Sequence, residues 1–252
     1  MEKVSPNDIE WLLQSKENFQ TGGSAYTQTQ TKTQSIPKKK KKRRGLAWWL
    51  ITISSFTFSL IILPFFILIR TAVYLNLNEA WNSWTSLGGG MLATVVFLTI
   101  LMFIIFRKVK SKKMLFQIGA SSVSMLVGGF TIYGLMYLNS VNAKTESVQE
   151  VYKSLHPILR IAVASVTLAE NELVITDIKR TQDDYINMGL TPLQSSMHYV
   201  QEDGFVHAID LRTIGHSELR NNSLELSLKL LGFKTIRHVG TADHLHVALP
   251  VK

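Results

Sequence analysis

The stretch GLAWWLITISSFTFSLIILPFFILI, residues Gly45–Ile69, contains no acidic or basic side chain and no histidine. Two further stretches with the same property, Ser86–Phe106 and Met114–Leu138, follow it closely. A helix needs about 20 apolar residues to cross a hydrocarbon core about 30 Å thick. Three such stretches in succession therefore predict three transmembrane helices rather than buried helices of a water-soluble core.

The charges between these stretches predict how the helices are oriented. The run KKKKKRR, Lys38–Arg44, directly precedes the first stretch, and the connection between the second and third stretches is also rich in lysine and arginine. The connection between the first and second stretches has only Arg70 and Glu79. Because cytoplasmic loops carry an excess of Lys and Arg, we expect residues 1–44 in the cytoplasm and residues 139–252 outside the cell membrane.

The net charge of +9 and the sequence pI of about 9.7 raise the question of nucleic-acid binding. The chain as far as Leu138 carries 16 Lys and Arg against 5 Asp and Glu, whereas the remainder carries 11 against 13. The basic charge thus lies beside the predicted membrane helices, which favours a role in topology and anionic-lipid contact and no nucleic-acid partner. The chain has no cysteine, so it has neither disulfides nor thiolate metal ligands.

The predicted cytoplasmic segment divides into two parts before the basic run. Residues Ser24–Ser35 are polar and repetitive, which predicts a disordered linker. Ser5 and Pro6, followed by apolar residues at helical spacing, predict a short helix. This helix either binds a cytoplasmic partner or is a frayed amphipathic segment.

Residues 139–252 are long enough for one small core, and their pattern predicts an α+β domain with a small antiparallel sheet. Helical spacing of apolar residues covers Ser147–Leu168, and a β-rich run covers Leu173–Thr176. A second helix is expected over His216–Leu231, closed by a glycine at position 232, and the alternation over His244–Leu249 predicts a strand.

Four short motifs follow one another along this domain. They are Arg180-Thr181, Ser196-Met197-His198, GFVHAID at Gly204–Asp210, and DHLH at Asp243–His246. In this order they resemble zinc peptidases that cut peptidoglycan stem peptides, namely the VanY-type D-alanyl-D-alanine carboxypeptidases and the related phage L-alanyl-D-glutamate endopeptidases. The resemblance covers roughly the last 85 residues and none of the predicted membrane helices.

The resemblance implies a site role for each matching residue. His198, Asp210 and His246 correspond to the zinc ligands, and Asp243 corresponds to the catalytic base. Arg180 corresponds to a residue that stabilises an oxyanion or binds a substrate carboxylate, which suits its planar guanidinium. Two imidazoles and one carboxylate leave Zn²⁺ an open position for water, and zinc lowers the pKa of that water to about 7.

One departure from the family pattern lies between the first two ligands. His198 and Asp210 are twelve residues apart in this chain, more than in the family pattern, which predicts an insertion around Gln201–Asp203. A regular strand places His207 and Asp210 on opposite faces, so His207 is expected beside the metal and not on it. A bulge there makes His207 a replacement ligand for His198.

Three residues are expected to support the site or to act as alternative ligands: Ser196, His207 and His244. In a strand, His244 lies on the same face as His246, so it lines the site or donates to a ligand. The remaining histidines, His156, His216 and His238, are interpreted as ordinary surface or core residues.

Two functional hypotheses remain for the outer domain, and a third involves the whole chain. The first is a membrane-anchored zinc carboxypeptidase or endopeptidase acting on peptidoglycan peptides, since peptidoglycan lies on the side predicted for this domain. The second is a non-catalytic peptidoglycan-binding module. The third is a membrane protein that acts through a partner of residues 1–44, with the outer domain as a sensor.

Overall fold

The computed structural model describes residues 45–189, 191–240 and 243–251. The predicted short helix, the predicted linker and the basic run lie outside these residues. Within them the predicted α+β class with a small antiparallel sheet is confirmed. Three long apolar helices precede a mixed domain that contains one antiparallel sheet of four strands.

The first three helices, α1 (Leu46–Leu77), α2 (Ser83–Ile105) and α3 (Lys112–Met136), are each long and apolar enough to cross a membrane. Their bounds differ from the bounds of the predicted apolar stretches, because polar residues beside those stretches are part of the helices. The Asn82 side chain accepts hydrogen bonds in the first turn of α2, and the Ser111 side chain does so for α3.

Small residues allow α1 and α2 to pack closely. A Cβ atom added at Gly90 of α2 would overlap the Leu68 carbonyl oxygen and lie 3.2 Å from the Ala72 Cβ of α1. Small residues at such positions are typical of helix pairs in membranes, where close packing replaces the hydrophobic driving force.

The domain after α3 contains short helices and four short strands. Two 3₁₀ turns occupy Ser140–Asn142 and Val151–Ser154. The helices are α4 (Glu146–Glu150), α5 (Pro157–Ala169), α6 (Gln182–Asn187) and α7 (Glu218–Leu231). The strands are β1 (Ile175–Asp177), β2 (Ala208–Arg212), β3 (Lys234–His238) and β4 (His244–Ala248), arranged in the order β1-β2-β4-β3 with every neighbouring pair antiparallel.

The single helix predicted over Ser147–Leu168 is wrong, because the chain divides into α4, a 3₁₀ turn and α5. Leu155 and His156 are extended, with ψ angles of 142° and 135°. Pro157 occupies the first position of α5, and a proline disfavours the helical conformation in the residue before it. The proline therefore begins a new helix instead of continuing the first.

The other predicted elements lie close to their observed bounds. Helix α7 begins after the Ser217 cap and ends at Gly232, whose left-handed φ of 105° makes it the predicted C-terminal cap. Strand β1 is shifted two residues along the chain from its predicted start at Leu173, and β4 ends one residue before Leu249.

Alternation along β2 and β4 separates the core from a polar face. Ile209, Leu211, Leu245 and Val247 are buried in the hydrophobic core. Side chains alternate along a strand, so the residues between them point to the other face. Asp210 and His246 are paired across β2 and β4 on that face.

Helix α5 joins the domain to the apolar helices. The Arg160 guanidinium donates to the Leu135 carbonyl at 2.7 Å, and the Tyr152 hydroxyl donates to the Gly134 carbonyl at 2.7 Å. A Cβ atom added at Gly134 would lie 2.9 Å from the Ala164 Cβ. The C-terminal end of α3 and the mixed domain therefore share one packed core.

Candidate metal centre

Three of the predicted ligands converge on the polar face of the sheet. His246 Nδ1 lies 3.2 Å from His198 Nε2 and 2.9 Å from Asp210 Oδ1. His198 Nε2 lies 3.3 Å from the same Asp210 oxygen. A tetrahedral ion with bonds of about 2.0–2.1 Å separates its ligand atoms by about 3.3 Å. The spacing and the donor types therefore fit a zinc ion.

The orientation of His198 leaves a lone pair directed at this group. His198 Nδ1 lies 2.7 Å from the Ile178 carbonyl oxygen, to which it donates. The neutral ring then carries no proton on Nε2, which faces Asp210 and His246. Metal-binding histidines commonly donate their second nitrogen to a carbonyl or carboxylate, so this hydrogen bond suits a ligand.

Arg180 binds the carboxylate oxygen of Asp210 that does not face the histidines. Its Nη2 lies 2.5 Å from Asp210 Oδ2, and its Nε lies 2.5 Å from Asp177 Oδ2. Asp177 pairs with Asp210 in the register of β1 and β2, which places both carboxylates beside one guanidinium. Arg180 therefore fixes the orientation of a candidate ligand.

The charge state of Asp210 follows from these contacts. Burial by itself raises the pKa of the Asp210 carboxyl, since the side chain is only 2% exposed. His198 and His246, which can donate to the carboxylate only when their facing nitrogens are protonated, act together with the Arg180 charge to outweigh burial and hold the pKa well below its usual range. Asp210 is therefore an anion at neutral pH.

Ser196 supports the loop that carries His198. The Ser196 hydroxyl accepts the His198 backbone N–H at 3.2 Å and lies 2.7 Å from the Tyr185 hydroxyl. The Arg180 backbone N–H donates to the His198 carbonyl at 3.0 Å. These contacts place Ser196 outside the converging group and give it a positioning role.

The site is open on the side of β4. His198 and Asp210 are almost completely buried, whereas the His246 side chain is 19% exposed. His244 lies on the same face, with Nε2 3.8 Å from Asp210 Oδ2. The structure thus places His244 at the rim of the group, beside the open side.

Asp243, the predicted base, precedes β4 and is held by two other residues. Its Oδ1 accepts from the Thr213 hydroxyl at 2.5 Å, and Arg237 donates to both oxygens at 3.2 Å. The Arg237 and then the Thr213 hydrogen bonds lower the pKa of the Asp243 carboxyl. The carboxylate is ionised and can accept a proton, but these partners make it a weak base.

His207 lies away from the converging group, on the opposite face of the sheet from Asp210. Its Nε2 is 3.0 Å from Asp203 Oδ2, and its Nδ1 is 3.3 Å from the Leu249 carbonyl oxygen. Asp203 belongs to the segment Gln201–Asp203, between His198 and Asp210, where the sequence predicts an insertion. The insertion therefore contacts His207 and leaves the spacing of the three candidate ligands intact.

Several residues around the centre were not identified from the sequence. They are Asp177, Tyr185, Thr213 and Arg237. Each acts through a contact between segments that are distant in the chain or through the register of two strands. The Asp177-x-x-Arg180 spacing is the one local signal among them.

The chain matches no protein-family model, and neither the curated proteins nor the solved structures gave a match. The resemblance to the peptidoglycan peptidases therefore depends on the motif residues themselves.

Proposed function

We propose that the chain is a membrane-anchored zinc peptidase that hydrolyses the stem peptides of peptidoglycan. The observation that carries this proposal is the convergence of His198 Nε2, Asp210 Oδ1 and His246 Nδ1 within 3.3 Å of one another. The substrate class is supported by the motif resemblance and by the charge pattern that predicts this domain outside the cell membrane.

The donor set favours catalysis over a purely structural metal site. Two histidines and one carboxylate are a donor set of catalytic zinc sites, and a zinc ion held by these residues would supply the Lewis acid that polarises water and a peptide carbonyl. His198 and Asp210 provide the buried wall of the site, and His246 provides the exposed side through which a peptide enters.

The remaining residues position the reacting groups. Arg180 holds Asp210 Oδ2, so that Oδ1 alone faces the two histidines. Asp243 is assigned as the group that would accept a proton from water, and Thr213 and Arg237 fix the direction of its carboxylate. His244, at the rim, is placed to contact the substrate.

The test uses the full chain, purified in detergent, loaded with zinc and incubated with purified muropeptides. Mass spectrometry distinguishes loss of a terminal alanine from cleavage within the stem peptide. We expect product with the unchanged chain, no product with His198→Ala, and normal product with His216→Ala, a histidine outside the centre. Equal turnover by the unchanged chain and His198→Ala contradicts the proposal.

A second candidate function is a peptidoglycan-binding module without catalysis. It is favoured by the engagement of Asp243 with Arg237 and Thr213, which lowers the pKa of the proposed base. Saturable muropeptide binding that needs His198, with no change in muropeptide mass over prolonged incubation, supports this function instead.

A further inference from the structure

A second group of side chains that could hold a metal ion lies around His207. His156, Asp203 and His207 each offer a ligand atom, and these atoms lie within 4.8 Å of one another. The group shares no residue with the centre formed by His198, Asp210 and His246. Its residues come from the start of α5, the insertion and the segment before β2.

His207 directs a nitrogen lone pair at a carboxylate. Its Nδ1 lies 3.3 Å from the Leu249 carbonyl oxygen, which accepts only from a protonated nitrogen. In the neutral ring Nε2 is then unprotonated, yet it lies 3.1 and 3.0 Å from the two Asp203 oxygens. Two electron-rich groups at this distance require a cation between them, either a proton or a metal ion.

His156 is completely buried beside this pair. Its Nε2 has no hydrogen-bond partner among the described residues and lies 3.7 Å from Asp203 Oδ2. The His156 and His207 rings are 4.6 Å apart. A buried polar atom without a partner is costly, and a proton between Asp203 and His207 leaves this atom unsatisfied.

One contact opposes metal binding by His156. Its Nδ1 accepts the Ile158 backbone N–H at 3.3 Å, which favours a proton on Nε2. Metal binding through Nε2 moves that proton to Nδ1 and gives up this long hydrogen bond. The exchange satisfies the buried Nε2 but turns Nδ1–H toward the Ile158 N–H, a cost that the coordination bond must outweigh.

Asp203 provides a route for an ion into the group. Its side chain is 37% exposed, whereas the two histidines are buried. The Ser83 hydroxyl, at the first residue of α2, donates to Asp203 Oδ2 at 3.2 Å. The Phe205 backbone N–H donates to Oδ1 at 3.1 Å. These two hydrogen bonds hold the Asp203 carboxylate in place.

We propose that His156, Asp203 and His207 bind a second divalent transition-metal ion of the zinc type. Two imidazoles with one carboxylate suit zinc, whereas calcium and magnesium prefer oxygen ligands alone. The ion links the insertion to the start of α5 and, through Asp203 and Ser83, to the end of a membrane helix. This inference does not depend on the peptidase function.

The experiment measures zinc bound per full chain in detergent, after removal of metal with a chelator and reloading with zinc alone. We expect two equivalents for the unchanged chain, one for His198→Ala, one for Asp203→Asn, and none for the double variant. Asp203 is chosen because its exposed side chain tolerates substitution better than the buried His156. Glu202→Gln, an exposed neighbour in the same turn, is the matched control and should retain two.

The possible outcomes separate the two metal sites. One equivalent that is lost in His198→Ala and retained in Asp203→Asn overturns the second site and leaves an ion pair of His207 with Asp203. One equivalent with the opposite pattern supports the second site and contradicts the first. A loss in Glu202→Gln as large as that in Asp203→Asn also overturns the proposal, because it indicates a general disturbance of the turn.

The absorption spectrum of the cobalt-loaded chain provides a readout that does not depend on stoichiometry. Cobalt bound by both groups gives a spectrum with two components, and Asp203→Asn should remove one of them. An unchanged spectrum in Asp203→Asn contradicts the second site.

Discussion

Asp210 shows how one side chain combines two tasks. Its Oδ1 faces His246 at 2.9 Å, and its Oδ2 is bound by Arg180 at 2.5 Å. A carboxylate that is free to rotate presents either oxygen to a metal, whereas this one presents a single oxygen. Residues that orient metal ligands in this way typically contribute 10- to 100-fold to metal affinity.

The first prediction concerns Arg180. Substitution Arg180→Gln removes the charge and the hydrogen bonds that fix Asp210, so zinc affinity at the His198 centre should fall by about 10- to 100-fold. Competition with a chromophoric chelator measures this affinity in the Asp203→Asn background, where the second site is absent. Arg220→Gln, which alters an arginine paired with Glu170, is the control. Unchanged affinity in Arg180→Gln contradicts the positioning role.

The second prediction concerns Asp243. Substitution Asp243→Asn should leave zinc bound and lower turnover by about 100- to 10,000-fold, the usual contribution of a general base. Zinc content and the rate of muropeptide cleavage are measured on the same preparation. Because Asp243 also binds Thr213 and Arg237, the thermal unfolding midpoint shows whether lost turnover comes from unfolding. Loss of zinc in Asp243→Asn contradicts its assignment as base.

At the scale of residues, the sequence indicated which candidate ligands lie together but not which side chains surround them. The motif order indicated His198, Asp210 and His246, and the structure brings these three together. The Arg180–Asp210 pair could not be derived from the sequence, because it depends on the register of β1 and β2. The partnership of Asp203 with His207 was missed because an insertion has no family pattern to follow.

At the scale of elements, some helix ends follow local sequence signals, whereas contacts between helices do not. Pro157 divides a stretch whose apolar spacing alone predicts one helix, because backbone sterics near proline override periodicity. Gly232 closes α7 in a left-handed conformation, as its position after the apolar run predicts. The proximity of Gly232 to α1 is not indicated by the neighbouring sequence, because it depends on tertiary packing.

The third prediction uses this proximity. A Cβ atom at Gly232 would lie 2.8 Å from Val73 Cγ1 and would overlap the Arg70 side chain, while one at Gly215 meets nothing within 4 Å. Both glycines have positive φ, so alanine costs each about 1–2 kcal/mol. Gly232→Ala should destabilise the protein by at least about 1 kcal/mol more, because overpacking adds to the strain. Thermal unfolding in detergent measures the difference, and equal losses contradict the contact with α1.

The unit Leu46–Lys252 combines a predicted membrane region with the candidate centre. Tyr152 and Arg160 both donate to carbonyl groups near the end of α3. The Trp84 ring at the start of α2 lies 6.2 Å from Phe205, next to the insertion. None of these three contacts was predicted, because the sequence shows which segments are apolar but not how the ends of helices contact the domain that follows.

The fourth prediction tests the orientation of the chain. A reporter enzyme that is active only outside the cytoplasm should be active when fused after residue 252 and inactive when fused within Arg107–Lys113. The positive-inside rule gives this result, because the basic connection stays in the cytoplasm. Expression of both fusions is compared by immunoblot. The opposite pattern removes the domain from the side where peptidoglycan lies and contradicts the proposed substrate.

The fifth prediction concerns the independence of the mixed domain. A fragment beginning at Lys144 lacks the Gly134 and Leu135 carbonyls, which accept from Tyr152 and Arg160, and exposes the face of α5 that packs on Gly134. Apolar surface of this kind associates in water, so the fragment should aggregate or unfold below the temperature of the full chain. Size-exclusion chromatography with light scattering and thermal unfolding measure both effects.

Co-expression with residues 1–143 supplies the missing partners of α5 and should recover a folded complex that binds zinc. A fragment that is monomeric on its own and unfolds at the temperature of the full chain contradicts a shared core. The mixed domain would then need the apolar helices only as an anchor. If recovery depends on the first 143 residues, the helices form part of the scaffold around the second group, because Ser83 contacts Asp203, and Trp84 contacts Phe205, which in turn contacts His156.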